Sequence, residues 1–343
     1  MNPITEPLDE AAVRTEPRSR CRLCGGTGAL LYEGLADRQY RAPGTWNIRR
    51  CQQAECGLLW LDPAPLEPEL SKFYASYYTH DLAGAEEGRL SFAARLRWFV
   101  KFGRPAGGAA TPGPALRALS RATGFVFPPL IAAAGAKGGR LLDVGCGRGD
   151  LVQAAQELGW DAEGLDSDPV AVASARHRGW RISLGSIAGQ QYPADHFDVI
   201  VMSHVIEHLA DPVAVLEQCH RILKPGGRLV LATPNVESQF HRKFGRAWLH
   251  LDPPRHLFLF ARKSLHALVR RAGFERPAES CSVLGAPNAY ECSELIARHG
   301  NIAEARRLHP GIFVLGSLMM LLELARVKSG RFVGEELRLV VAK

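Results

Sequence analysis

Short apolar runs alternate with helical patterns along the second part of the chain. From Arg140 onward, "RLLDVG", "DAEGLD", "RISLGS", "FDVIVMSH" and "RLVLATP" have the length and composition of buried strands. Between them, "DLVQAAQELG", "DPVAVASARHRG" and "DPVAVLEQCHRILKPGG" carry apolar residues at helical spacing. Asp168 and Asp211 each precede a proline and suit helix starts, and Gly226 suits a helix end. The alternation predicts an α/β fold with a doubly wound parallel sheet.

The first part of the chain has a different pattern, which divides it into three segments. Residues 1–20 place three prolines among charges and predict no fixed structure. Residues 21–78 contain four cysteines and predict a small module, and residues 79–137 include the linker-like "GRPAGGAATPGPA". The α/β domain then occupies residues 138–343, with a helical insertion at about 286–334 before the last strand.

The net charge of +7 is concentrated in one segment. Residues 81–140 carry 9 Lys+Arg against 3 Asp+Glu, whereas residues 141–280 carry 16 of each. This distribution argues against a nucleic-acid-binding face that extends over the whole protein. The N-terminus lacks the basic start and apolar core of a signal peptide, so the expected compartment is the cytoplasm.

The cysteines of the N-terminal module have the spacing of metal ligands. Cys21 and Cys24 form C-x2-C, Cys51 and Cys56 form C-x4-C, and a glycine follows each pair. Four thiolates in two short pairs predict a structural zinc site without an open coordination position. The alternative is two unrelated pairs of buried thiols. The remaining four cysteines have no ligand spacing and are interpreted as small buried residues: Cys146, Cys219, Cys281 and Cys292.

A glycine-rich turn follows the first strand of the α/β domain. Gly145, Gly147 and Gly149 have the spacing G-x-G-x-G, and Asp166 ends the next strand about 20 residues later, where a carboxylate can accept ribose hydroxyls. Neither G-x-G-x-x-G nor G-K-[ST] is present, and Asp143 would repel a pyrophosphate. These features favour S-adenosylmethionine, which carries an ammonium and a sulfonium group. The alternatives are an ordinary tight turn and a helix cap.

Four segments resemble, in order and spacing, the motifs of class I S-adenosylmethionine-dependent methyltransferases. They are "LLDVGCGRGD", "GLDSDPVAVASAR", "FDVIVMSHVIEHLADP" and "LKPGGRLVLATPN", and the resemblance covers Arg140 to Phe274. It implies a Rossmann-like seven-stranded sheet, with "ELRLVVAK" as an antiparallel last strand. It also implies a set of cofactor contacts: Asp143, Gly145, Cys146 and Gly147, Asp166 at the ribose with Ser167 beside it, Ser186 and Ile187 near the adenine, and a wall from Ser203 and His204.

Histidines are the candidate groups for chemistry, because an acceptor that must lose a proton needs a base. His204 and His208 are four residues apart and would share a face if their segment is helical. The resemblance makes His208 the first candidate, and the alternative is that Glu207 and His208 cap and brace the helix. His256 could face the acceptor and Arg255 could bind an anionic group on it, or His256 could be a core residue.

The N-terminal module bears on the substrate. "CGLLWLDPAPLEPELSKFYASYYTH" resembles a module of bacterial methyltransferases of sugar, polysaccharide and natural-product pathways, which helps cover the substrate side. Tyr74, Tyr77 and Tyr78 are then pocket residues, or else core residues of the module. The expected reaction is methyl transfer to such a small molecule. The competing interpretations are a zinc-ribbon RNA methyltransferase and a cofactor-binding protein without catalysis.

Two segments suggest contact with a membrane surface or another chain. "GRLSFAARLRWFVKFGR" combines an apolar stripe with basic residues, as interfacial helices do. "PGIFVLGSLMMLLELARVKSGR" is a long apolar run that Glu323 interrupts, too short to span a bilayer. Together they predict a lipid-facing or oligomer-forming surface, with peripheral attachment at the inner face of the membrane. The alternative is that both pack within the protein.

Overall fold

A computed structural model of the chain describes residues 13–74, 138–283, 285–302 and 310–343. Its strands are β1 (Thr15–Glu16), β2 (Gly28–Leu35), β3 (Trp46–Cys51), β4 (Leu59–Asp62), β5 (Ala64–Pro65), β6 (Arg140–Val144), β7 (Asp161–Asp166), β8 (Ile182–Leu184), β9 (Phe197–Ser203), β10 (Leu223–Pro234), β11 (Phe258–Leu259), β12 (Glu275–Ser282) and β13 (Glu336–Ala342). The α-helices are α1 (Asp150–Glu157), α2 (Pro169–His177), α3 (Pro212–Ile222), α4 (Gln239–Phe244), α5 (Arg262–Arg271), α6 (Ala286–His299) and α7 (Pro310–Lys328).

The predicted α/β fold is confirmed by a seven-stranded sheet with the strand order β12-β13-β10-β9-β6-β7-β8. β6 pairs in parallel with β7 and β9, and β7 pairs in parallel with β8. In this register Leu142 lies opposite Glu163 on one side and Ile200 on the other. The predicted helix starts are also present, because α2 begins at a proline after Asp168, whose side chain accepts from the backbone N–H of Val170.

The chain forms two compact units. Among the described residues, the first contains 13–74, 204–217 and those within 231–339, and the second contains 138–203, 218–230 and 340–343. The second unit has a core in which α1 and α2 cover the parallel strands. Its central members are Leu141, Val152, Ala155, Ala162, Val199 and Val201, all nearly inaccessible to solvent. Burying each valine or leucine side chain stabilises the fold by about 1.5–3 kcal/mol.

The first unit contains the cysteine module, whose sheet has the strand order β11-β4-β3-β2. β11 comes from far along the chain, and Phe258 pairs with Trp60. The sequence boundary at residue 78 therefore misses a strand of this sheet. The predicted absence of structure in residues 1–20 is wrong for Thr15–Glu16, which pairs with Ala64–Pro65. Arg18 is held there too, because its carbonyl accepts from the indole N–H of Trp60 at 2.7 Å.

The segment at 286–334 contains the helices α6 and α7. α7 exposes a stripe of large apolar side chains, formed by Val314, Leu315, Leu318, Leu321 and Leu322. Glu323 on the same helix is fully buried, and neither carboxylate oxygen has a hydrogen-bond partner among the described residues. Burial raises the pKa of Glu323 to about 9. Within the described ranges no helix is both long enough and apolar enough to cross a bilayer. The basic amphipathic segment at 88–104 lies outside the described residues.

A buried ion pair ties the module to the segment after β10. The Arg255 guanidinium donates to both carboxylate oxygens of Asp37 at 2.7 and 2.8 Å, and its Nε donates to Asp252 at 3.0 Å. Arg255 is 1% exposed. Burial alone would lower the pKa of Arg255, but the two carboxylates raise it. The predicted role of Arg255 in binding an anionic group is wrong, because its guanidinium is already occupied by carboxylates of the protein.

Replacing one partner of this pair should be costly. We expect Asp37→Asn to lower the free energy of unfolding by about 3 kcal/mol, because it leaves a buried cation with one carboxylate instead of two. Urea denaturation measures this. Glu55→Gln is the matched control, since Glu55 is 85% exposed where it pairs with Lys263, and an exposed pair contributes less than about 1 kcal/mol. Equal effects of the two substitutions would contradict the assignment.

Candidate cofactor, metal and histidine sites

The glycine turn after β6 has the backbone shape that a closely approaching ligand requires. Gly145, Gly147 and Gly149 have φ values of +70°, +52° and +79°. This left-handed region favours glycine because a Cβ atom would be strained there. A Cβ placed on Gly147 would meet no atom within 4 Å. The backbone is therefore open on that side, as expected of a cradle for a ligand.

Asp166 closes the turn from the neighbouring strand. Its carboxylate accepts from the backbone N–H of Gly147 at 2.7 Å and of Asp168 at 2.8 Å. A carboxylate has about four acceptor positions, so these two bonds leave room for two ribose hydroxyls. Burial raises the pKa of Asp166. Asp143, at the end of β6, is also buried. The two acids and the open turn fit the cationic, ribose-bearing S-adenosylmethionine.

The other predicted cofactor residues belong to the same unit. Ser167 follows β7, Ser203 ends β9, and Ile187 is buried at the start of a short 3-10 turn that follows Ser186. The carboxyl ends of parallel strands lie along one edge of a sheet, which is where ligands of such folds bind. Cys146 packs close to Gly164, and burial raises the pKa of its thiol. The Cys146 thiol is therefore uncharged.

The four predicted zinc ligands meet at one point. The sulfur atoms of Cys21, Cys24, Cys51 and Cys56 all lie within 4.8 Å of one another. The Cys21–Cys56 and Cys24–Cys51 sulfur distances are 3.7 and 3.4 Å. A tetrahedral Zn–S length of about 2.3 Å places sulfurs about 3.8 Å apart, so the cluster fits zinc. A hydrogen bond from Cys56 lowers the pKa of Cys21 to about 5, which favours a thiolate.

The segment carrying His204 and His208 is not an α-helix. His204 has φ +56°, and only Ile206–His208 forms a 3-10 turn. The two rings therefore have different partners. Nε2 of His204 lies 2.8 Å from Glu336, and Nδ1 lies 3.3 Å from Glu207. Desolvation opposes charge on His204, whose side chain is 41% exposed, but these two carboxylates outweigh it and raise its pKa to about 10. The protonated form of His204 is therefore favoured at neutral pH.

His208 has the opposite character. Its ring meets that of His256 edge to face, with centroids 4.7 Å apart. Nδ1 of His208 lies 3.0 Å from the carbonyl oxygen of Arg255 and 2.9 Å from the hydroxyl of Tyr74. Burial and the neighbouring His256 lower the pKa of His208 to about 4. His208 is therefore neutral. Tyr77 and Tyr78 lie outside the described residues.

Glu207 and His250 make contacts beside the histidines that the sequence did not fully predict. Glu207 is fully buried and accepts from the Thr233 hydroxyl at 3.0 Å. Burial would raise the pKa of Glu207, but the adjacent His204 holds it at about 2. The carbonyl of His250 lies 2.7 Å from Nδ1 of His256. The "EH" dipeptide pointed to Glu207, whereas no sequence signal pointed to His250.

The α/β domain is similar to known proteins. The family model described as a methyltransferase domain matches residues 117–276. A ubiquinone biosynthesis O-methyltransferase from Cereibacter sphaeroides is 34% identical over 151 residues, covering 40% of this chain and 61% of that protein. Its namesake from Xanthomonas oryzae is 37% identical over 107 residues, covering 29% of this chain and 44% of that protein. The chain thus spans less than two thirds of the length of these relatives.

Solved structures also resemble the chain. An S-adenosylmethionine-dependent methyltransferase from Archaeoglobus fulgidus has a TM-score of 0.42 and 19% identity, covering 67% of this chain and 93% of that one. The [4+2]-cyclase SpnF has a TM-score of 0.44 and 23% identity, covering 66% and 82%. Residues 117–276 thus match the methyltransferase domain family model, and the four sequence motifs resemble those of class I S-adenosylmethionine-dependent methyltransferases.

Proposed function

We propose that the protein transfers a methyl group from S-adenosylmethionine to a hydroxyl oxygen of a small molecule. The observation that carries this proposal is the Asp166 carboxylate, fixed by the open glycine turn and keeping acceptor positions for a ribose. The oxygen acceptor is supported by the relatives, which are named O-methyltransferases. A sugar, a polysaccharide unit or a natural-product intermediate is the acceptor class that the N-terminal module favours.

The cofactor, when bound, supplies a strongly electrophilic methyl group. Methyl transfer is an in-line displacement, so the protein accelerates it chiefly by holding the two reactants in line and excluding water. In this proposal Asp166 orients the ribose, the turn at Gly145 and Gly147 admits the cofactor close to the backbone, and Asp143 balances its positive charge. Ser186, Ile187 and Ser203 would border the adenine and the methyl end.

An oxygen acceptor must also lose its proton. Among the three candidate histidines, His208 is best suited to accept it, because its Nδ1 faces the carbonyl of Arg255 and its Nε2 keeps a lone pair. His204 is engaged by two carboxylates and is better suited to balance charge. His256 is held by the His250 carbonyl and positions His208 by ring contact.

The four cysteines would hold a structural zinc ion. Four thiolates fill a tetrahedral shell, so this ion has no position for a substrate and supplies no chemistry. The turn at the first pair supports this role, because the N–H of Gly25 donates to the carbonyl of Cys21 at 2.8 Å. The zinc would join the turn that precedes β2 to the end of β3 and the turn that follows it.

Removing the ribose contact should weaken cofactor binding. We expect Asp166→Ala to weaken S-adenosylmethionine binding by about a hundredfold or more, because two hydrogen bonds to a charged group are lost at about 1.5–3 kcal/mol each. Isothermal titration calorimetry measures this. Asp168→Ala is the matched control, since Asp168 caps α2 two residues away. Comparable losses in both variants would indicate damage to the turn and contradict a ribose contact.

Removing one zinc ligand should release the metal. We expect one zinc per chain from the cysteine module by elemental analysis, and its loss in Cys56→Ser, because a hydroxyl is a poor substitute for a thiolate. Cys292→Ser is the control, since Cys292 lies in α6 outside the cluster and has no ligand role. A module that keeps its zinc without Cys56 would disprove this ligand set.

The acceptor class can be tested with labelled S-adenosylmethionine and fractionated cell extract. We expect label in the small-molecule or lipid-linked fraction with wild-type protein, and none with Asp166→Ala. Label that appears in RNA and disappears on RNase treatment would overturn the proposal in favour of a zinc-ribbon RNA methyltransferase. Cofactor binding without transfer to any fraction would indicate a binding protein.

A further inference from the structure

Three ligand-type side chains converge beside the 3-10 turn at Ile206–His208. One atom each of Glu207, His208 and His256 lies within 4.8 Å of the other two. Two imidazoles and one carboxylate form a donor set that binds divalent transition metals in proteins. This cluster contains no cysteine and shares no residue with the predicted zinc site.

Hydrogen bonds orient both histidines as metal ligands are oriented. A carbonyl oxygen can only accept, so Nδ1 of His208 donates to Arg255 and Nδ1 of His256 donates to His250. The Tyr74 hydroxyl, 2.9 Å from the same Nδ1 of His208, is then a second acceptor of that proton. Each Nε2 is then left with its lone pair free for coordination. Metal-binding histidines typically donate their second ring N–H to a backbone carbonyl or a carboxylate in this way.

The carboxylate has one oxygen without a hydrogen bond. Glu207 is 0% exposed, and its Oε2 accepts from Thr233 at 3.0 Å. Its Oε1 is buried and has no hydrogen-bond partner within the described part of the chain. The nearest cationic group to this oxygen is the His204 imidazole, whose Nδ1 lies 3.3 Å away as an ion pair. Since that contact is not a hydrogen bond, Oε1 keeps lone pairs with which it can also bind a metal ion.

The groups behind the cluster are rigid. Arg255, whose carbonyl faces His208, is fixed by Asp37 and Asp252. Asp252 also lies 3.9 Å from Nε2 of His256 and adds negative charge near the three ligand atoms. The N–H of Leu257 donates to the carbonyl of Glu207 at 2.9 Å. The three ligands are therefore attached to segments that other contacts of the protein hold in place.

We propose that Glu207, His208 and His256 bind one divalent first-row transition-metal ion, with positions left open for an exogenous oxygen ligand. Imidazole nitrogens favour zinc, iron and related ions, and the carboxylate extends the range to manganese. The ion would use Nε2 of each histidine and Oε1 of Glu207.

The role of this ion rests on the proposed methyl transfer to oxygen. An acceptor hydroxyl bound to the ion would lose its proton to solvent more readily, since a bound cation lowers the pKa of coordinated oxygen. His208 would then act as a ligand and not as the base. Metal binding itself does not depend on that reaction and is measured without cofactor or acceptor.

The test is equilibrium dialysis of the full chain, with its cysteine module already loaded with zinc, against Mn²⁺ or further Zn²⁺. We expect one additional metal ion per chain in the wild type, measured by elemental analysis. Glu207→Gln and His256→Ala should weaken this binding at least about tenfold. His266→Ala is the matched control, because His266 on α5 pairs with Glu279 on β12 and lies outside the cluster.

Two results would overturn the proposal: no additional ion of either metal in the wild type, or additional metal that Glu207→Gln and His256→Ala both retain. Retention of the cysteine-bound zinc and an unchanged circular dichroism spectrum show that each variant folds. Glu207→Gln keeps the shape of the side chain and an oxygen for Thr233, so it separates lost coordination from lost structure. Cofactor binding that fails while the additional metal is retained would reject only the proposed function.

Discussion

The buried guanidinium of Arg255 is the constraint on which the first unit depends. Asp37, from the cysteine module, binds it with both carboxylate oxygens, and Asp252 binds it from the preceding turn. Two carboxylates around one cation leave the group fully paired in a place without water, where an unpaired charge would not be tolerated. The Tyr40 ring lies 4.7 Å from the guanidinium and covers it. Segments more than 200 residues apart in sequence are thereby held in one arrangement.

The ion pair of Arg255 is connected to the histidines through the backbone of Arg255. The Arg255 carbonyl fixes the tautomer of His208, and the backbone of the same turn continues into His256 and then into β11, which joins the module's sheet. A change in the guanidinium would therefore move the hydrogen-bond acceptor that orients His208. The side chain that sequence reasoning offered as an anion receptor instead supports the candidate site from behind. It acts on chemistry only through the residues that it positions.

The sequence predicted what depends on local patterns and missed what depends on distant pairing. The parallel strands, the turn at Gly147 and the acid at Asp166 follow from periodicity and spacing, because neighbouring residues determine them. The convergence of four cysteines was predictable for the same reason. The addition of Phe258–Leu259 to the module's sheet and the burial of Arg255 were not, because their partners lie about 200 residues away and a charged residue gives no sequence signal of burial. The 3-10 turn was missed since four-residue spacing suits a helix.

His204 and His208 show that two identical side chains can have opposite pKa shifts in different surroundings. They are separated by three residues, yet Glu207 and Glu336 raise the pKa of His204 to about 10, while burial lowers that of His208 to about 4. The left-handed backbone at His204 directs the two rings to different partners, so carboxylates favour the charged form of His204 and burial favours the neutral form of His208. A charged His204 also stabilises the ionised form of Glu207, which a metal ligand requires. The segment 204–208 can therefore supply both a proposed metal ligand, Glu207, and the positive charge of His204 that keeps the Glu207 carboxylate ionised.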